Sequence, residues 1–528
     1  MVLIMKVLLI TGLLAEDMVT HYTQKSNVKT KVLALRVPVA ALLTPKYIAK
    51  ETEKLNLHDF DMILVPGLIR GDTSIIEDTT GIPTFKGPRY AADLPTVLDL
   101  LSQVKLSKVT PACDLLKDEL QRKALQEMHI AEKNRDILLK TPGNMLIREL
   151  AIGRDFPMRV MAEIVDAPLL LNDEVQAMAR RYVKLGAEII DIGMVAGESN
   201  PSDAKRAVKA VKSVVNVPVS IDTLDLDEAR AAVSAGTDIL LSADAGNIED
   251  IATFASTVAV VIIPTNHREG YFPKKAEERV SLLEENIRKA RKLGITRIIG
   301  DLILDPVNVP GIVESLVAFH EFAKRNPDVS LLFGVGNVME LMDADSIGIN
   351  ALLAGIASEI GVNILLTTEK SNKAKGSIRE LAIASKMMFL AKKRGSVPKD
   401  LGFDLLTLKD KRIREEPYHR EIEAEMQIIT ATEKRKSLLF DPKGCFKIMT
   451  DRANDVIVAL HFSTSKRHKP TVIIKGKTAE EVYAKIVEMS LVTRLDHAAY
   501  LGSELAKAEI ALKIGKEYIQ DSPLFKSR

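Results

Sequence analysis

Residues 217–246 read VPVSIDTLDLDEARAAVSAGTDILLSADAG, two apolar runs that end in Asp222 and Asp244 on either side of a helix-patterned stretch. The runs are short, apolar and bounded by turn residues, which predicts buried parallel strands. Between them, LDEARAAVSAG closes on a glycine. Glycine stops a helix because it enters the left-handed backbone region without a Cβ clash. Strand, helix and strand make one β/α unit.

The unit recurs on both sides. MRVMAEIVDAP, AEIIDIG, VPVSID, DILLSAD, VAVVIIPTN, RIIGDLILDP, SLLFGVGN and NILLTTE form eight candidate strands between residues 146 and 395. EVQAMARRYVKLG, RVSLLEENIRKARKLG and ALLAGIASEIG again end in glycine. Eight such units over about 250 residues predict a closed (β/α)8 TIM barrel, with an open doubly wound sheet as the alternative. Residues 1–145 alternate apolar runs (KVLLITG, KVLALRVPVAAL, DMILVPG) with helical stretches, which predicts a Rossmann- or flavodoxin-like α/β domain. TGLLAED has one glycine where a dinucleotide fingerprint needs three, so a scaffold or partner domain is the reading. Residues 396–528 begin with the charged KDKRIREEPYHREIEAEMQ, a linker or exposed helix, and continue as a small α+β domain.

Bulk properties exclude several classes. At 528 residues the chain is too long for one core. A net charge of +2 creates no field for nucleic acid or anionic membrane, and the absence of Trp removes stacking platforms for single strands. No apolar run approaches the ~20 residues of a membrane span. The two cysteines, Cys113 and Cys445, imply neither a disulfide framework nor a zinc knuckle, and a cytoplasmic protein is the expectation. Cys445 has no neighbouring base and is read as a packing residue.

In a barrel, strand carboxyl ends collect at one mouth. The candidates there are Glu163 and Asp166, Asp191, Asp222, Ser242 with Asp244, Asn266, Asp301 with Asp305, Asn337, and Glu369 with Lys370. A lone strand-end Asp more often caps a helix or anchors a loop; a ring of acids and amides asks for a ligand. No histidine pair or tightly spaced carboxylate cluster appears, so no metal is argued. No Gly-x-Ser-x-Gly elbow or Walker loop appears either. Carboxylates mixed with amides suit a flat, nitrogen-rich heterocycle, since a carboxylate accepts two N–H bonds from an amino-amidine edge.

AEIIDIG with the following GES, then VPVSIDT, DILLSADAG and LILDP, resembles the pterin-binding barrels. Dihydropteroate synthases and methyl-tetrahydrofolate-dependent corrinoid methyltransferases belong to that group. The whole chain resembles archaeal dihydropteroate synthase-related proteins, which carry this barrel between two extra domains. DPKGCFKI and TRLDHAAYLGSELAKAEIAL resemble a small domain found beside one-carbon metabolism proteins. The resemblance implies that Asp222 binds the amino-pyrimidine edge and that Asp305 of LILDP is the second pterin-binding aspartate. Asp166 stands where relatives carry an Asn, and Asn337 in Gly-x-Gly-Asn matches the methyltransferase position near pterin N5. With the strand-end residues Glu163, Asp191, Ser242, Asp244, Asn266 and Asp301 these make up the candidate pterin set, and Asp166, Asn337 and Lys370 are the candidate catalytic residues.

The departures from the pattern lie around the leaving group. GVGNVMEL replaces a lysine-bearing segment after the seventh strand, and TTEKSNKAKGS replaces an Arg/His motif after the eighth. Lys370, Lys373, Lys375 and Arg379 are the cations available instead. The resemblance implies a dihydro- or tetrahydropterin ligand, of folate or tetrahydromethanopterin type, with an arylamine or a methyl acceptor as second substrate. A synthase-type transferase leads, ahead of a methyl-tetrahydropterin methyltransferase and a non-catalytic pterin carrier. Homodimerisation is compatible with this barrel type. In the carboxy-terminal helix, His497, Tyr500 and Glu504 share one face, read as a hydrogen-bonded interior patch.

Overall fold

The computed structural model describes residues 5–395, 397–399, 401–410, 426–431, 440–452, 454–465 and 468–525. It divides into two compact units, Met1–Glu415 and Glu416–Arg528. Most of the charged stretch read as a linker or exposed helix lies outside the described residues.

The first unit opens with β1 (Lys6–Gly12), β2 (Lys29–Leu35), β3 (Met62–Val65) and β4 (Thr84–Lys86) in the order β2-β1-β3-β4, all parallel. Gly12 serves packing here. A Cβ on it would lie 2.7 Å from the Ala40 nitrogen and 2.8 Å from the Val37 oxygen, so the chain between β1 and β2 needs a bare backbone. The helix Ala112–Lys133 then runs to the barrel, where Ala124 and Met128 pack with Leu390 and Ala391.

Next comes a hairpin that the strand pattern did not resolve, β5 (Met145–Ile147) and β6 (Leu150–Ile152). Ile147 and Ile152 join the barrel's interior cluster, and the Arg159 guanidinium donates to the Ala151 carbonyl, so the hairpin plugs the amino-terminal end of the barrel. The barrel itself is β7 (Arg159–Ile164), β8 (Ile189–Gly193), β9 (Val219–Asp222), β10 (Ile239–Ala243), β11 (Ala259–Ile262), β12 (Ile298–Gly300), β13 (Ser330–Gly334) and β14 (Ile364–Thr368). The eight strands pair in parallel, and β14 closes against β7.

Alternation along these strands decides what faces inward. Met161, Ile189, Ile239, Leu241, Val261, Ile299, Leu332 and Ile364 form an interior apolar layer. Their sequence neighbours Val160, Ile190, Leu240, Val260, Ile298 and Leu331 pack outward against the helices. One strand period above the interior layer, toward the mouth, the residues become acidic.

The second unit is a three-stranded antiparallel sheet, β15 (Cys445–Asp451), β16 (Val456–Phe462) and β17 (Val472–Gly476). Every second residue of β16 is buried, as a sheet covered on one face requires. The cover is supplied by helices Ala479–Glu488 and Leu495–Lys513. Cys445, expected to pack, is instead exposed at the open start of β15. Glu504 turns inward and accepts the Tyr518 hydroxyl at 2.8 Å, while His497 Nδ1 lies 3.3 Å from Asp441. Among the described residues, no helix is long and apolar enough to cross a membrane.

Candidate pterin site at the barrel mouth

Glu163, Asp191, Asp222 and Asp301 follow Met161, Ile189, Ser220 and Ile299 by one strand period each, which turns all four inward beyond the interior apolar residues as an acidic layer. Register sets Glu163 opposite Asp191 and Asp191 opposite Ser220, while Asp222, opposite Gly193, stands one strand period further along β9. Asp301 comes directly after β12, with its N–H donating to the Ile262 carbonyl of β11. Carboxylate oxygens of Glu163, Asp191 and Asp222 lie within 4.8 Å of one another. No linear spacing could reveal this cluster, because its members come from separate strands. It corrects the expectation that no carboxylate cluster exists, and a cation could also be held at that spacing.

Each carboxyl is held above its ordinary range. Burial raises Glu163 to about 7, reinforced by the charge of Asp222. Asp191 is fully buried and pushed well up, first by burial and then by Asp222 and Glu163. Burial brings Asp222 to about 6 and Asp301 to about 7. Like charges in a shared low-dielectric site cannot all ionise, so the group shares protons near neutrality. Ser220 donates its hydroxyl to one Asp191 oxygen, and the other oxygen has no hydrogen-bond partner among the described residues. Gly193 leaves room for Glu163, whose Oε1 occupies the space a Cβ would take.

The other expected residues sit differently. Asp305 is clasped by Arg279 at 2.6 Å, and the same guanidinium donates to the carbonyls of Pro273 and Ile303 at 2.9 Å. This buried clasp holds the loop after β12 that carries both aspartates, with Asp305 already ion-paired and Asp301 sensing the charge of Asp222. Asp244 is also withdrawn from the layer, because the pairing of β10 shifts between Leu240 and Ala243 and breaks the alternation. Its carboxylate is filled by the Thr265 hydroxyl, the Gly246 and His267 N–H groups and the His267 ring.

Ser242 is half-buried, and its carbonyl accepts weakly from Asn247 at 3.4 Å. Asn266 pairs through its backbone with Tyr271. Asn337 is exposed and donates to the Leu304 carbonyl at 3.1 Å, which links the loops after β13 and β12. Glu369 is buried and binds Arg181 at 2.6 Å and the Gly376 N–H at 3.0 Å, anchoring the loop after β14. Lys370 is ion-paired with Asp166. Lys370 is 55% exposed, so Lys370→Met is expected to cost less than about 1 kcal/mol of stability in urea unfolding. A larger loss would show that the pair carries structure.

Arg279, Glu228 and His267 went unread in the sequence. Glu228, buried within its helix, accepts from the Thr223 hydroxyl and the Asn200 N–H, and so fixes the loop beside Asp222. A helical Arg or Glu carries no signal that its partner is a distant loop. His267 stands beside Asn266 in the sequence, but its aspartate follows the neighbouring strand, 23 residues earlier.

Three families match segments of the chain. One described as "Pterin binding enzyme" matches residues 170–343, one described as PterinBD-DUF4346 matches 440–521, and a family of unknown function, DUF6513, matches 5–89. Uncharacterized protein MJ0107 of Methanocaldococcus jannaschii is 45% identical over 533 residues, covering 99% of each chain. A Ycf91-like protein of Nostoc sp. is 38% identical over 105 residues, covering 15% of this chain and 83% of its own. Among solved structures, dihydropteroate synthase of Xanthomonas albilineans with 4-aminobenzoic acid is 18% identical at a TM-score of 0.39, covering 49% of this chain and all of its own. Dihydropteroate synthase of Yersinia pestis in a sulfonamide complex is 17% identical at 0.39, covering 48% of this chain and 99% of its own. The full-length match places the chain in the same family as the M. jannaschii protein, with a pterin-binding-enzyme segment in its barrel and further matched segments at both ends.

Proposed function

We propose that the acidic layer binds a reduced pterin by its amino-pyrimidine edge and that the protein is a transferase of the synthase type. In this reading it joins the exocyclic carbon of a dihydropterin diphosphate to an arylamine, on the route to a folate- or tetrahydromethanopterin-type carrier. The observation that carries the reading is the layer itself: Glu163, Asp191, Asp222 and Asp301 converge, and their nearest cations are already engaged, Arg279 with Asp305 and Lys370 with Asp166. Such a layer needs N–H donors, and a 2-amino-pyrimidinone supplies several in one plane. The diphosphate would be met by Lys373, Lys375 and Arg379 on the segment after β14. Among the described residues none of the three has a carboxylate partner; Lys373 Nζ donates to the Glu340 carbonyl at 3.4 Å and Lys375 Nζ to the Asn372 side chain at 2.5 Å. Catalysis then rests on orientation of the two substrates and on anion stabilisation.

A second reading, methyl transfer from a methyl-tetrahydropterin, is favoured by one observation. Glu163 keeps a proton to about pH 7, which suits protonation of N5 as the methyl group leaves. Product analysis separates the readings. A new ultraviolet-absorbing conjugate formed from pterin diphosphate and 4-aminobenzoate supports the synthase. Consumption of methyl-tetrahydropterin only when a corrinoid is added replaces it with the methyltransferase, and binding without either turnover leaves a carrier.

A further inference from the structure

Beside the acidic layer, the rim carries a second polar arrangement that the pterin reading leaves unused. Strands β10 and β11 lie between β9, which ends in Asp222, and β12, which leads into Asp301. The loops that leave β10 and β11 therefore stand over the rim between those two carboxyls. The first loop holds Asp244 and the second holds His267, and the Asp244 Oδ1 to His267 Nδ1 distance is 2.7 Å.

Asp244 is fully buried and its position is fixed by three further donors: the Thr265 hydroxyl at 2.7 Å, the Gly246 N–H at 2.8 Å and the His267 N–H at 2.7 Å. A carboxylate at Nδ1 keeps the proton on that nitrogen and leaves the lone pair on Nε2. Nε2 makes no hydrogen bond among the described residues, and the side chain is 24% exposed. Gly246 leaves the space the ring needs, since a Cβ there would lie 3.1 Å from Nδ1. The loop is braced by the backbone pairing of Asn266 with Tyr271. Tyr271 and Phe272 on it are 47% and 59% exposed in a chain with no Trp, so this rim offers aromatic surface to a planar partner.

A loop anchor needs only what Thr265 and the two backbone N–H groups already give Asp244. It does not need an oriented imidazole whose second nitrogen has no partner among the described residues. We propose that His267 is a catalytic residue, whose Nε2 takes the proton released by an arylamine as it attacks a pterin seated on the acidic layer. The proposal rests on the synthase reading and deepens it.

The amine lone pair forms the new C–N bond to the exocyclic carbon. The bond from that carbon to the diphosphate oxygen breaks, and its electron pair leaves with the diphosphate. The N–H proton of the resulting arylammonium passes to Nε2 and then to water. Asp244 acts through His267, holding the tautomer and stabilising the imidazolium, and is a positioning residue.

The test uses the full chain with 7,8-dihydropterin-6-ylmethyl diphosphate and 4-aminobenzoate. His267→Ala is expected to lower kcat by about 10²–10⁴-fold, the usual contribution of a positioned general base. The calorimetric Kd for the pterin should stay within about twofold, and added imidazole should restore part of kcat, which a structural role would not permit. Asp244→Asn should lower kcat in the same direction, and His267→Gln, which keeps a polar side chain in place, guards against loss of fold. Wild-type turnover that survives in both His267 variants overturns the assignment of His267 and leaves the pterin reading standing. A wild type that binds no pterin overturns the pterin reading, and the proposal with it.

Discussion

Asp222→Asn is expected to weaken binding of a reduced pterin by at least about 2 kcal/mol, roughly 30-fold, in calorimetric titration at pH 8. At that pH the wild-type carboxyl, raised by burial to about 6, is ionised and, in the proposed complex, would accept two N–H groups. Asn presents one acceptor and one donor, so one of those contacts becomes donor against donor. The loss comes from the unpaired polar atoms it leaves, and an apolar replacement would not isolate that effect. Folding should not confound the reading. Asp222 carries an unfavourable buried charge in the free protein, and its neutral isostere relieves it, so the thermal midpoint should hold or rise. An unchanged affinity would remove Asp222 from the site.

The second large effect is on stability. Asp301 has an ordinary pKa of 3.8 and is raised by burial to about 7. Between those values the folded chain holds a proton that the unfolded chain has released. Stability contributed by this group is therefore complete below about pH 4, falls as pH rises through 7, and is flat above. The interval corresponds to on the order of 4 kcal/mol, at 1.36 kcal/mol per pKa unit. Asn at 301 cannot ionise, and it retains an acceptor for the Ile303 N–H that Asp301 Oδ1 receives at 2.7 Å. Asp301→Asn should therefore match wild type in urea unfolding near pH 4 and exceed it by about 2–4 kcal/mol at pH 8. Parallel pH profiles for the two proteins would contradict the burial of that charge.

Most of this architecture is legible in the chain because barrel strands announce themselves locally. VPVSID and DILLSAD are apolar and short, and a glycine stops the helix between them at 236. The acidic layer follows from the same alternation, once Met161, Ile189 and Ile299 are taken as inward. Departures arise where backbone irregularity or long-range pairing intervenes. Asp244 ends an apolar run just as Asp222 does, yet the register shift in β10 turns it into a loop anchor. Asp305 sits in a motif-like LILDP, while its partner Arg279 belongs to the preceding helix and no local pattern joins them. The hairpin Met145–Ile152 was absorbed into the start of the barrel because its strands of three residues are too short to carry a period.

Proton exchange on binding is the most direct measure of whether buried carboxyls grip the N–H edge of a reduced pterin. Calorimetry of the wild type with 7,8-dihydropterin at pH 6.5, in buffers of different ionisation enthalpy, counts those protons. Glu163 and Asp301 are partly protonated there in the free protein, and N–H donors from the ligand stabilise their ionised forms. Binding should release protons, and the affinity should rise between pH 5.5 and 8. Proton uptake, or binding with no exchange at all, would contradict the account.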